Sequence, residues 1–390
     1  MNPTRTQDLR AEKTTQVLNR FLDGSGWSRK ELQEENGISY GTISILLNNL
    51  ERAGVIALDR LDESQGGRRA GRYRIVPTFR VFAQVEIRSY GFNWSVRDMT
   101  GQEIAGGIIV DDHSRDINSN LADVLATVVA ALPAAEIPGE RLHSVGIALP
   151  GHYRREDDAV IKPSTPRIGE LTICSVVRKY FGGKLLVESD VNAAAFFDLE
   201  RVLGTGRTAG ASRGTVLYLI TTADGIGASL FINGAIHYGA TGHAGEIHMY
   251  PVSTDDGWKT LGDCLDPTVM AARVGIAGQD QPRFDQLRTM IWTGRAATER
   301  QYPHVVDAFA QAIYLLDSVL DPDSIVIAGL YCGYGPRLSR DVSRRLLEVS
   351  EPELMNNVEI HQSDGSEGLA MSGLFRMQTQ HWAQVARFSG

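Results

Sequence analysis

Arg68, Arg69 and Arg72 lie in the glycine-loosened run Gln65-Gly66-Gly67-Arg68-Arg69-Ala70-Gly71-Arg72-Tyr73-Arg74. Guanidinium groups on such a loop can neutralise phosphates or enter a narrow minor groove, where negative potential is focused. Upstream, Ile43, Leu46, Leu47 and Leu50 recur at i, i+3, i+4 and i+7, the apolar stripe of a helix. The opposite face carries Tyr40, Gly41, Ser44 and Asn48, with Thr42 at its edge and Ser39 just before it. Small polar side chains of this kind can approach base edges and phosphates without steric conflict. The competing reading of the basic run is a solvated interdomain linker. Helix pattern, loop and local positive charge agree over one stretch, which favours DNA contact.

The surrounding elements suit that task. A first helix is expected over Gln7–Leu22, ended by Asp23-Gly24-Ser25-Gly26. Ser28-Arg29-Lys30-Glu31 has the form of a capping box, in which hydroxyl and carboxylate satisfy free amide donors at a helix start. Asn36-Gly37 supplies a left-handed-tolerant turn, and Ser39 then caps a third helix. Val55–Leu58 and Tyr73–Val76 read as two strands flanking the basic loop. Residues 1–80 are thus expected to form a winged helix-turn-helix DNA-binding domain.

Charge follows the same division. The first 80 residues hold 13 Lys and Arg against 10 Asp and Glu, giving +3, while the remainder holds 26 against 37, giving −11. Only the N-terminal part suits a polyanion. At 390 residues, with 43% hydrophobic and 22% charged residues, the chain is expected to be globular with two or three domains. Cys174, Cys264 and Cys332 are few and scattered, which suits neither a disulfide framework nor a zinc motif. No segment reads as membrane-spanning, and the N-terminus lacks a signal peptide's apolar core, so a cytoplasmic protein is expected.

Beyond residue 80 the pattern changes. Val81–Ile87, Phe92–Arg97 and Ile104–Val110 read as a strand meander, followed by a helix near Asn118–Leu132 and strands at Val145–Leu149 and Lys184–Glu188. A second strand-rich section runs from Thr215–Thr222 through Asp224-Gly225-Ile226-Gly227 to Phe231–Ile236, with Asn233-Gly234 as a hairpin signal. Alternation of this kind implies α/β architecture.

Five motifs in this order resemble the ROK family of bacterial repressors and sugar kinases: Val145–Gly151, Glu188–Ala195, Asp224–Gly227, His243–His248 and Asp321–Gly329. The resemblance implies a winged helix followed by a two-lobed, actin-like (ribonuclease-H-like) sugar-kinase fold. The first lobe would span 81–203, completed by a C-terminal helix near 368–390; the second, at 204–367, would carry dimerisation and the effector cleft. It further implies a transcriptional regulator acting as a repressor. Its partners would be a double-stranded DNA operator, a sugar or sugar-derivative effector, and further copies of itself in a homodimer or homotetramer, with no membrane involved.

Enzymatic machinery is expected to be eroded. Where the family's kinases carry a glycine-rich phosphate loop, this chain reads Glu86-Ile87-Arg88-Ser89-Tyr90, with bulky side chains where backbone must approach phosphates. Asp224-Gly225-Ile226-Gly227 reads as a tight turn between strands. Asp190 matches the family's catalytic base, although an aspartate after a strand also suits a helix cap; both readings stay open. The family's zinc set retains only His248 and Cys264, its other positions holding Gly257 and Lys259, so neither zinc nor any other cofactor is expected. Asp190, Asn192, Glu246 and His248 are the residues expected to face an effector. The alternatives are a sugar kinase phosphorylating a hexose with ATP, and a regulator whose lobes only oligomerise.

Overall fold

Helical periodicity in the N-terminal unit produces α1 (Pro3–Phe21), α2 (Arg29–Asn36) and α3 (Tyr40–Arg52), with β1 (Trp27–Ser28), β2 (Ile56–Leu61) and β3 (Gly71–Ile75). The computed structural model describes residues 3–61, 70–204, 214–278, 280–349, 358–386 and 388. The α2 capping box forms: Glu31 N donates to Ser28 Oγ at 3.3 Å and Ser28 N to Glu31 Oε2 at 2.8 Å. Ser39 caps α3, and the expected stripe Ile43, Leu46, Leu47 and Leu50 is buried against Val17, Leu18 and Phe21 of α1. The strands order β1-β3-β2, so the β2–β3 pair is stitched to the turn before α2. The sequence had shown β2 and β3 but not β1.

The first lobe holds β4 (Val81–Arg88), β5 (Gly91–Asp98), β6 (Glu103–Val110), α4 (Ile117–Ala134), β7 (Leu142–Leu149), β8 (His152–Arg154), β9 (Ala159–Ile161), α5 (Ile173–Val177), β10 (Lys184–Ser189) and α6 (Asp190–Leu203). Its sheet has the order β10-β7-β4-β5-β6, with β4, β7 and β10 parallel and the β4-β5-β6 meander antiparallel. α4 is long and apolar enough by composition to cross a membrane. Its Leu121, Val124, Leu125 and Val128 instead pack on Val81, Val85 and Ile147 within the lobe's core.

The second lobe repeats the plan with β11 (Thr215–Thr222), β12 (Gly225–Ile232) and β13 (Ala235–Ile236), then β14 (Pro251–Thr254), β15 (Gly257–Thr260), α7 (Leu261–Leu265), α8 (Pro267–Arg273), α9 (Asp280–Trp292), α10 (Ala296–Leu320), β16 (Ser324–Gly329), α11 (Arg337–Val349) and β17 (Glu359–Gln362). Its sheet runs β13-β12-β11-β16-β17, again three antiparallel strands followed by parallel ones. The last helix, α12 (Leu369–Val385), returns to pack on β4, β7 and α6.

α6 and α12 cross closely. A Cβ on Gly373 of α12 would meet the Ala193 carbonyl of α6 at 1.7 Å, so only glycine permits this approach. Ala193, Ala194 and Leu199 of α6, Leu374 of α12, and Tyr218 and Val326 of the second sheet form a core between the lobes. At its other end α12 reaches the N-terminal unit: Trp382 and Ala383 are buried with Phe21 and Leu47, and Thr15 Oγ1 donates to the Ala383 carbonyl at 3.0 Å.

Candidate functional site

On the N-terminal unit, burial of the α3 stripe turns the other side outward. Ser39, Tyr40 and Asn48 are exposed, with Thr42 and Ser44 partly covered. Ser39 Oγ accepts from Thr42 N at 3.4 Å and lies 2.9 Å from Thr42 Oγ1, so these two hydroxyls also organise the helix start. Asn48 Oδ1 accepts from Arg29 of α2 at 3.0 Å, and the Arg29 guanidinium lies 4.9 Å from the Tyr73 ring centroid. Sequence reasoning passed over Arg29; its signal was its position immediately after the capping serine, at the start of the helix that precedes α3.

The wing arginines separate. Arg68 and Arg69 lie outside the described residues. Arg72 is not at a loop tip. It stands on β3 opposite Ser28 of β1, donating to the Gly26 carbonyl and pairing with Glu31 at 2.7 Å. Burial would raise the Glu31 carboxyl, but hydrogen bonds from Ser28 and Arg72 hold it below its ordinary value. Arg72 is therefore a brace between β3 and α2, because β1, unseen in the sequence, brings Glu31 within its reach.

The cleft between the lobes is organised by strand ends. β4 ends at Arg88, whose guanidinium lies 2.5 Å from Glu86, 3.3 Å from Asp224 and 3.8 Å from Asp190. Asp224, at the β11–β12 turn, also accepts from Ser89 N at 3.0 Å. The backbone turn where the resemblance places nucleotide phosphates thus already holds a carboxylate of this chain. Three carboxylates around one buried guanidinium leave excess negative charge. Burial pushes Asp190 up to about 7, with Asp224 and Glu86 adding to the rise against the pull of Arg88.

Asp190 does not cap α6. Ser189 does, its Oγ accepting from Asn192 N at 3.1 Å, so of the two readings left open by the sequence, the cap belongs to its neighbour. Asp190, Glu246 and His248 line one cavity of about 540 Å³, together with His152, Lys162 and Asp224. Asn192 is not among its walls. Its amide is spent on Glu188 Oε1 at 2.9 Å and Ser229 Oγ at 2.7 Å, because two residues on from Asp190 the helix has turned about 200° and carries it toward β12 rather than the cleft.

Glu246 is positioned by a close approach: Gly245 takes φ 98°, and a Cβ there would lie 2.0 Å from the Ala228 carbonyl of β12. Glu246 Oε1 lies 2.9 Å from His152 Nε2 and Oε2 lies 3.3 Å from His248 Nδ1. Burial raises its pKa, but the hydrogen bond from His152 and the nearby His248 and Lys162 bring it below the ordinary value. An ionised carboxylate with an imidazole on each oxygen is a strong, oriented acceptor for hydroxyl groups. His152 and Lys162 were missed in the sequence. Their signal was Pro150-Gly151 at the carboxyl end of a buried strand, the edge where open α/β sheets place ligands.

Around Cys264 the chain forms the β14–β15 hairpin and then α7, whose start is held by a Thr260–Asp263 capping box. Gly257 and Lys259 lie on β15; Cys264 is buried, which raises its thiol pKa. Among the described residues no group of three or more His, Cys, Asp or Glu is arranged to hold a metal ion.

Comparison with known proteins matches residues 105–375 to the ROK family model. The xylose repressor of Bacillus spizizenii is 26% identical over 243 residues, covering 60% of this chain and 59% of that protein. This chain therefore aligns with under two thirds of that relative's length. Among solved structures, a ROK family transcriptional regulator described as a homolog of the E. coli MLC protein superposes with TM-score 0.70 at 16% identity, covering 97% of this chain and 98% of that one. A ROK family glucokinase from Streptomyces griseus, in complex with glucose and AMPPNP, superposes with TM-score 0.58 at 15% identity over 76% of this chain and 98% of its own. The last two show the fold alone.

Proposed function

The chain belongs to the ROK family, and from that premise we propose that it is a DNA-binding transcriptional repressor whose kinase-like lobes sense a sugar or a related small molecule without phosphorylating it. The observation that carries this reading is the pairing of an exposed polar α3 face with a cleft whose phosphate-loop turn is closed by Arg88 and Asp224. Tyr40, Thr42, Ser44 and Asn48 would meet base edges, with Ser39, Arg29, Arg68 and Arg69 on phosphates. Two such units in a homodimer or homotetramer would read a two-fold operator.

Glu246, His248, His152 and Asp190 would hold the sugar hydroxyls. Asp190 begins α6, α6 crosses α12 at Gly373, and α12 shares a core with α1 and α3. A ligand that draws the lobes together therefore acts on a continuous packed path to the DNA-binding unit, which gives effector and operator a means of reciprocal coupling.

The test is a fluorescence-anisotropy titration of DNA from upstream of the chain's own coding sequence, with and without D-xylose and a hexose panel. Specific binding that weakens steeply with salt and is released by one sugar is expected. Equal affinity for scrambled DNA would refute the proposal. ATP turnover with the same sugars is expected to be absent, and sugar-dependent turnover lost in Asp190→Asn would instead establish a kinase.

A further inference from the structure

The outer face of α3 holds a residue that sequence reasoning passed over. Ile45 is 57% exposed, although isoleucine is among the side chains most often buried. With Gly41, Asn48 and Arg52 it recurs at i, i+4, i+7 and i+11, in one line directly opposite the buried stripe Ile43, Leu46, Leu47 and Leu50. A single exposed apolar side chain needs no explanation, but the residue one turn before it is also out of keeping with a helix. A Cβ on Gly41 would enter open space, and its φ lies outside the left-handed region, so neither crowding among the described residues nor backbone geometry requires glycine there. Glycine and a β-branched residue both lower helix stability relative to alanine. Two such costs on successive turns, with no return inside the chain, mark a face shaped for something outside it.

The surroundings specify that partner's chemistry. Asn48 carries an oriented amide, its Oδ1 accepting from Arg29 at 3.0 Å. Arg52 ends the line with a positive charge, in the part of the chain that is net positive while the remainder is net negative. A polar, positively charged helix face with one bare stretch of backbone suits the major groove of duplex DNA. There the base edges offer donors, acceptors and a single apolar group, the C5-methyl of thymine. An isoleucine at the centre of the face has that methyl as its complement.

We propose that Ile45 reads the methyl group of one thymine in each operator half-site, with Gly41 giving the helix backbone the close approach that this contact needs. The proposal rests on the DNA-binding reading and adds a base preference to it. Ile45 makes T·A the favoured pair at one position of each half-site by shape and apolar contact rather than by a hydrogen bond.

The test is fluorescence anisotropy of the full chain with the operator duplex and with a series of duplexes in which one thymine at a time is replaced by deoxyuridine, which removes the methyl and leaves base pairing intact. One replacement per half-site is expected to weaken binding about fourfold, the worth of one methyl taken out of water. Ile45→Ala is expected to bind the operator weaker by about that factor or more, and the same replacement is expected to be silent in it. Gly41→Leu is expected to melt no lower than the parent, since its side chain enters open space, and to bind the operator about tenfold weaker or more. Where the parent binds its operator specifically, four results would each overturn this inference and leave the DNA-binding reading standing: every thymine replaceable without loss, a replacement that costs as much in Ile45→Ala as in the parent, Gly41→Leu binding as well as the parent, or Gly41→Leu melting lower. Parent binding that does not distinguish operator from scrambled DNA would refute both. A changed sedimentation coefficient of DNA-free Ile45→Ala would assign Ile45 to a contact between copies of the chain and overturn the proposal.

Discussion

The outer face of α3 and the turn after β4 are both rich in polar side chains, but they use them in opposite ways. On α3, Tyr40 is 53% exposed, Asn48 shares its oxygen with one arginine, and the donors face water. At the β4 turn, Arg88, Glu86, Asp190 and Asp224 are largely buried and bind one another. A surface that reads a polymer must keep its hydrogen-bonding capacity unspent. A cleft whose one guanidinium is already shared among three carboxylates can admit a polyanion only against that excess negative charge and by breaking a buried network, which is costly in low dielectric. The same fold thus keeps one polar site open and has closed another.

The sharpest way to break that comparison is Arg88→Met. If the guanidinium is the counter-charge that makes the cluster tolerable, its loss should destabilise the protein by about 3–5 kcal/mol, read by denaturant unfolding at neutral pH. A loss below about 1 kcal/mol would mean that water or protonation compensates and that the cluster is not a closed network.

A second effect is expected from the proton. The Asp190 carboxyl titrates at about 7 in the folded protein and at about 3.9 when unfolded. Because the folded value is raised, the stability linked to this group is fully present below about pH 4 and is lost as pH rises through about 7. Asp190→Asn should flatten that decline in melting curves taken across the interval. An unchanged slope would assign the pH dependence elsewhere.

The difference between the two regions also decided what could be read from sequence. The N-terminal unit was largely legible, because local rules set it: the Ser28 box, the stripe at Ile43, Leu46, Leu47 and Leu50, and Ser39 as cap all operate within a few residues. Asn233-Gly234 was legible for the same reason; it takes φ 53° and 76°, the pair of positive angles that a tight hairpin requires. The cleft was legible only in part. Asp190, Glu246 and His248 do meet at one cavity, but they are brought together with His152 and Lys162 by loops distant in sequence. Asn192 was misplaced because a motif does not say which way a helix is rotated against its neighbours. Arg72 was misplaced because a two-residue strand, too short to show a period, sets its register.

On the open side of the comparison, Asn48→Ala and Tyr40→Ala should each cost about 1–3 kcal/mol of operator affinity and relax specificity at one base position. Their melting temperatures should match that of the parent, since neither side chain packs in the core. Anisotropy with matched and single-mismatch duplexes reads both effects.

The smallest and most discriminating difference lies within the arginines of one short run. Arg68→Ala and Arg69→Ala should leave stability unchanged and each lower the salt dependence of operator binding by about 0.9 in log–log slope for every phosphate left without its counter-charge. Arg72→Ala should do the reverse. Its pairing with Glu31 and the Gly26 carbonyl joins β3 to the start of α2, so its removal should lower the melting temperature and weaken binding with little change in slope. A slope change in Arg72→Ala equal to that of its neighbours would place its guanidinium on DNA and its ion pair with Glu31 in the free protein only. Because Arg72 is held by Glu31 and the Gly26 carbonyl, comparing the three slopes separates a side chain that braces β3 from those proposed to meet phosphates.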